Sequence, residues 1–86
     1  MNTITLVGNL ITDVSYNNED YPIAEFTYNV TNASQPKRLF CKAYGKAATH
    51  IYDSFCYGTK CTLSGTLNVE IGEKAIEYFL ISEIIE

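Results

Sequence analysis

Apolar and polar residues alternate through most of this chain. Ala24, Phe26, Tyr28 and Val30 interleave with Glu25, Thr27, Asn29 and Thr31, the two-residue period of a strand with one buried face. The pattern returns after the polar connection Thr31–Pro36. Leu39, Cys41 and Ala43 fall on one face of the next segment, and Arg38, Phe40, Lys42 and Tyr44 on the other, before Gly45 ends it. Cys61, Leu63, Gly65, Leu67, Val69 and Ile71 form a longer run of the same kind. Gly72, with Glu73 and Lys74, marks a hairpin turn into a last strand over Ala75–Ile85. An apolar strand opens the chain at Ile4 and Leu6 and reaches Leu10, with Gly8 predicting a bulge or bend. Residues 12–22, rich in Asn, Asp and Glu and closing on Pro22, predict a loop. Only Lys46–Cys56 breaks the period. It lacks Gly and Pro, and Ala47, Ala48, Ile51, Tyr52 and Phe55 recur at helical spacing. A helix of about three turns is predicted there, with Gly58 as its stop signal.

The predicted order is β-β-β-α-β-β. Five strands with one helix between the third and fourth match an all-β OB-fold, a small, partly open Greek-key barrel whose second and third strands commonly form a binding surface. The helix is expected to close one end of the barrel with its apolar stripe. Eighty-six residues allow a single domain spanning 1–86. Hydrophobic residues make up 47% and Gly plus Pro only seven positions, which excludes disordered and fibrous classes. No apolar run approaches the roughly 18 residues of a membrane span, and the first ten residues lack a secretory pattern. Cys41, Cys56 and Cys61 cannot all pair within one chain and fit no zinc spacing. A reduced, cytoplasmic setting is expected.

The formal net charge is −4, which argues against a polyanionic partner until its distribution is read. Between Lys37 and Val69 five cations stand against one acid, a local +4, whereas the rest of the chain sets one cation against nine acids, a local −8. Local field, not the total, governs binding to a polyanion.

Catalytic constellations are thin. His50, the only histidine, lies on the predicted helix, with no thiol and orienting group in an obvious relation to it. Gly45-Lys46 has neither the upstream glycine nor the following Ser or Thr of a phosphate-binding loop. Asp13, Glu19 and Asp20 lack the ligand spacing of a calcium site. No enzyme, metal or cofactor is expected.

The outward residues of the third strand carry a different signal. Arg38, Phe40, Lys42 and Tyr44 alternate cation and aromatic ring on one face. Single-stranded nucleic acid requires both groups: cations for its phosphates and flat rings for unstacked bases, worth about 1–3 kcal/mol per stacked base. Lys37, Lys46 and Lys60 are further candidates for phosphate contact.

Several segments resemble bacterial single-stranded DNA-binding proteins. They are Met1-Asn2-Thr3-Ile4-Thr5-Leu6-Val7-Gly8-Asn9-Leu10 with Asp13, Ala24-Glu25-Phe26-Thr27-Tyr28, Tyr44-Gly45-Lys46-Ala47-Ala48, and Gly58 through Leu67. The resemblance implies an OB-fold that binds and protects single-stranded DNA without sequence preference in replication, recombination or repair, commonly as a dimer or tetramer. Single-stranded RNA is a second candidate ligand. Tyr44 matches one of the family's stacking positions, while Arg38, Ser34 and Ile71 fall where the family commonly has tryptophan. Binding weaker than that of a housekeeping member is therefore expected. With Glu86 directly after the last strand, the resemblance implies a short, divergent member without the family's linker and acidic tip. The alternatives are an OB-fold protein-interaction module, or a primosomal replication accessory protein with weak or no DNA binding.

Overall fold

The computed structural model describes residues 3–35 and 37–85. Met1 and Asn2 of the opening segment, Pro36 and Glu86 lie outside the described residues. The elements are β1 (Ile4–Leu10), β2 (Ser15–Asn17), β3 (Ile23–Val30), β4 (Lys37–Tyr44), α1 (Lys46–Ser54), β5 (Lys60–Ile71) and β6 (Ala75–Ile85). Five long strands form the closed ring β1-β5-β6-β4-β3, with β3 returning to β1. All neighbours run antiparallel except β4 and β6, which meet in parallel at Cys41 opposite Phe79. This is the all-β OB-fold barrel that the order of elements predicted, with its helix between the strands numbered here β4 and β5.

The alternation in β3 and β4 translates directly into packing. Ala24, Phe26, Tyr28 and Val30, with Leu39, Cys41 and Ala43, fill the interior together with Leu10, Leu63, Phe79 and Ile81. A buried phenol needs an acceptor. The Tyr28 hydroxyl donates to the Cys61 carbonyl oxygen at 2.6 Å. Closure at the β1–β3 seam depends on Gly8, which pairs with Cys61 on one side and Val30 on the other. A Cβ at this position would lie 1.9 Å from the Asn29 carbonyl oxygen. The register of β1 against β5 is continuous from Ile4 to Asn9. Gly8 thus permits a close backbone approach, and of the expected bulge or bend the continuous register excludes the bulge. The irregularity in register lies instead between Ser64 and Gly65.

Three further expectations are corrected. Residues 12–22 contain the short strand β2, whose Tyr16 faces Ala24. Its local composition conceals it, because pairing with β3 supplies the order. The helix stops at Ser54 instead of Cys56, with Phe55 extended. The next two amides are claimed by side chains: Cys56 N–H donates to Thr59 Oγ1 and Tyr57 N–H to Asp13 Oδ1. Gly58, at φ 88°, sits in the following turn and donates its N–H to the Leu10 carbonyl. It therefore docks that turn on β1 and does not cap the helix.

Within α1, Ala48 and Ile51 are buried and the helix packs against β2, β3, β4 and β6. Tyr52 instead stands at the surface, stacked on Tyr16 with ring centroids 4.3 Å apart. The outer half of β5 and the start of β6 extend beyond the barrel as a hairpin, leaving Leu67, Val69 and Ile71 exposed. None of the described helices is long and apolar enough to cross a membrane.

Candidate nucleic-acid interface

The alternation in β4 that buries Leu39, Cys41 and Ala43 turns Arg38, Phe40, Lys42 and Tyr44 outward. Their register partners on β3 are Asn29, Thr27, Glu25 and Ile23. On the other flank, β6 presents Tyr78 and Leu80, whose neighbours Phe79 and Ile81 point into the core. The result is a sheet surface spanning three strands, with Phe40 and Tyr78 half-buried and Tyr44 41% exposed. The three rings lie along the middle and one end of this surface.

Lys42 occupies its centre. Its ammonium lies 3.3 Å from Glu70 Oε2 and 3.7 Å from Glu25 Oε2, and its side chain is only 14% exposed. The same nitrogen sits 4.9 Å from the centroid of the Tyr78 ring and 5.8 Å from that of Phe40. Partial burial alone would lower the pKa of Lys42. The hydrogen bond that Lys42 donates to Glu70, together with the charge of Glu70 and the electrostatic influence of Tyr44 and Glu25, outweighs it and raises the pKa above its ordinary value. Lys42 is thus protonated and already serves as counter-ion to Glu70 and Glu25.

The other expected cations divide into three groups. Lys37 is ion-paired with Glu77 at 3.6 Å, both half-exposed, a geometry worth little in water. Arg38 on β4 and Lys46 at the start of α1 are exposed and have no carboxylate partner among the described residues. Lys60 opens β5 opposite Asn9 of β1, two strands around the ring from β4. It lines a separate open groove with Val7, Thr31 and Thr62. The structure therefore brings Arg38, Phe40, Lys42 and Tyr44 together, sets Lys37 and Lys46 at the margins, and leaves Lys60 elsewhere.

Tyr78, Glu25 and Glu70 complete the surface and were not singled out from the sequence. The two-residue period was sufficient for Tyr78, since it separates that ring from the apolar pair Phe79 and Ile81. Glu25 and Glu70 required the register, because only the fold places them beside a cation 17 and 28 positions away. No group of three His, Cys, Asp or Glu side chains among the described residues is arranged to hold a metal ion. Cys41 and Cys61 are buried and unpaired, Cys56 exposed and unpaired.

No protein-family model matches this chain, and no curated protein matches it in sequence. Among solved structures, it is similar to the SSB domain of a protein from Synechococcus sp.. The TM-score is 0.83 at 18% identity, covering 100% of this chain and 96% of the other. The fold is shared. At that identity the likeness establishes the barrel and nothing about its ligand.

Proposed function

We propose that this OB-fold domain binds single-stranded DNA without sequence preference, on the face formed by β3, β4 and β6, and so protects unpaired strands during replication, recombination or repair. One observation supports the reading above others. Phe40, Tyr44 and Tyr78 present rings on a single outward sheet surface, flanked by Arg38 and Lys46, which have no carboxylate partner among the described residues. Rings offer stacking area to bases that a duplex keeps stacked inside, so the surface favours an unpaired strand. The mechanism is passive, holding a strand without chemistry or a cofactor. Single-stranded RNA presents the same base faces and is the second ligand to test. Unpaired thiols at Cys41, Cys56 and Cys61 favour a reducing compartment such as the cytoplasm.

Assembly into a dimer or tetramer is the companion proposal, and it must avoid part of β1. The Asn32 side chain caps the free edge of that strand, accepting from Val7 N–H and donating to the Thr5 carbonyl. Thr31 N–H takes the Val7 carbonyl. Those edge groups are satisfied and offer nothing to a second strand. Light scattering after gel filtration measures the assembly state.

A second reading, a barrel that engages a protein, is favoured by the carboxylate partners already present at Lys37 and Lys42. Titrating a labelled single-stranded oligonucleotide and the matching duplex, each at low and moderate salt, separates the two. Salt-sensitive binding to the single strand with little to the duplex supports the first reading. Absence of binding to either at low salt refutes it and leaves the protein partner.

A further inference from the structure

Lys42 is the most central cation of the β4 face and is also its most completely neutralised. Glu25 stands directly opposite it across the β3–β4 ladder, and Glu70 reaches it from the hairpin arm. The ammonium and two carboxylates carry one net negative charge, with the ammonium beside the Phe40 and Tyr78 rings. A phosphate approaching Lys42 meets two like charges within 4 Å of the cation it seeks. Arg38 and Lys46, with no carboxylate partner among the described residues, pose no such barrier.

We propose that Glu25 and Glu70 are affinity-setting residues that exclude phosphate from the centre of the face, so that bases occupy the centre and phosphates only the margins. The inference rests on the single-strand reading of this face and adds a particular electrostatic signature. Each acid withdraws Lys42 from phosphate contact, which makes the salt dependence shallower than the cation content of the face would give. Glu70 lies on the hairpin arm and Glu25 on the barrel wall, so the two reach Lys42 from opposite flanks, and because they share one ammonium their effects on it are coupled.

The test compares Glu25→Gln, Glu70→Gln and the double variant with the parent chain, using a labelled oligothymidylate over a series of salt concentrations. Glu83→Gln is the control. It makes the same change in net charge at an exposed site on β6, opposite Ser64. Freeing Lys42 for one phosphate steepens the slope of log affinity against log salt by about 0.7. Between about 50 and 200 mM salt that steepening makes the affinity ratio of variant to parent fall roughly 2.6-fold. Glu83→Gln should leave the slope unchanged. Adding Lys42→Gln to the double variant should return the slope to the parent value, whereas Lys42→Gln alone should not lower it.

Equal slopes for the parent and all Gln variants, with affinity still lowered in Tyr44→Ala, overturn the inference and leave the single-strand reading standing. An identical steepening in Glu83→Gln also overturns it, since the effect would then be one of net charge. If neither the parent nor any variant binds at low salt, the single-strand reading fails and the inference with it. Thermal melts confirm that each variant is folded.

Discussion

Removing the Tyr44 side chain separates binding from folding more cleanly than any other change on this face. Tyr44 ends β4 opposite Ile23 and is 41% exposed. Phe40 and Tyr78 are half-buried, and each has the Lys42 ammonium near its ring. On the proposed reading a base gains most at Tyr44, the most exposed of the three residues. Loss of one stacked base costs about 1–3 kcal/mol, a fall in affinity of roughly 5- to 150-fold for Tyr44→Ala. Because the residue is 41% exposed and lies outside the core, its removal should lower folding stability by only about 1 kcal/mol. Titration of a labelled oligonucleotide by fluorescence anisotropy, repeated across salt concentrations, measures the loss. The variant and parent lines should run parallel, since no charge is removed, and Tyr44→Phe should restore affinity. Unchanged affinity in Tyr44→Ala refutes the stacking argument. A changed slope would mean that the residue acts through charge.

The remaining predictions concern the barrel that carries the face. Gly8→Ala places a methyl carbon 1.9 Å from the Asn29 carbonyl oxygen. The β1–β3 seam must then open, at a cost above the about 1–3 kcal/mol of ordinary overpacking; urea denaturation close to the parent curve would contradict closure there. Tyr28→Phe strips the 2.6 Å bond to the Cys61 carbonyl and should cost about 1–3 kcal/mol, read from the same denaturation curves. Burial pushes the pKa of the Cys41 thiol up, and that of Cys61 up against an opposing hydrogen bond from Tyr28. The Tyr28 phenol is raised by burial and by both cysteines. A raised folded pKa means the unfolded chain loses its protons first, beginning near about pH 8.5 for a thiol. Stability is then fully present below that pH and falls above it, by up to about 1.4 kcal/mol per pH unit for a fully buried thiol. A melting temperature that stays level or rises between about pH 7 and pH 10 would contradict this.

What the sequence could and could not convey follows from the range of each interaction. The inward sets of β3 and β4 were legible because a two-residue period is a local property of the chain. The Tyr16–Tyr52 stack and the short strand β2 were not, since both exist only once β3 and α1 stand beside them. The helix end was misplaced because Asp13, a residue of the first loop, holds the Tyr57 amide. Charge was the most misleading signal. The cations of positions 37–69 form a basic block along the chain, yet Glu25, Glu70 and Glu77 lie outside that block and fold back against Lys42 and Lys37. Clustering in sequence therefore overstated the positive field, while the aromatic pattern on the outer parity of β4 survived folding intact.

The most direct test of the account maps the ligand onto the surface. Adding a short oligothymidylate to isotopically labelled protein should shift the NMR signals of Phe40, Tyr44 and Tyr78 rings and of the β4 amides. Tyr52 and Tyr57, exposed elsewhere, should be unmoved. Shifts concentrated on Tyr52, Tyr57 or the Lys60 groove, with the β4 rings unchanged, would contradict the claim that this face holds the strand.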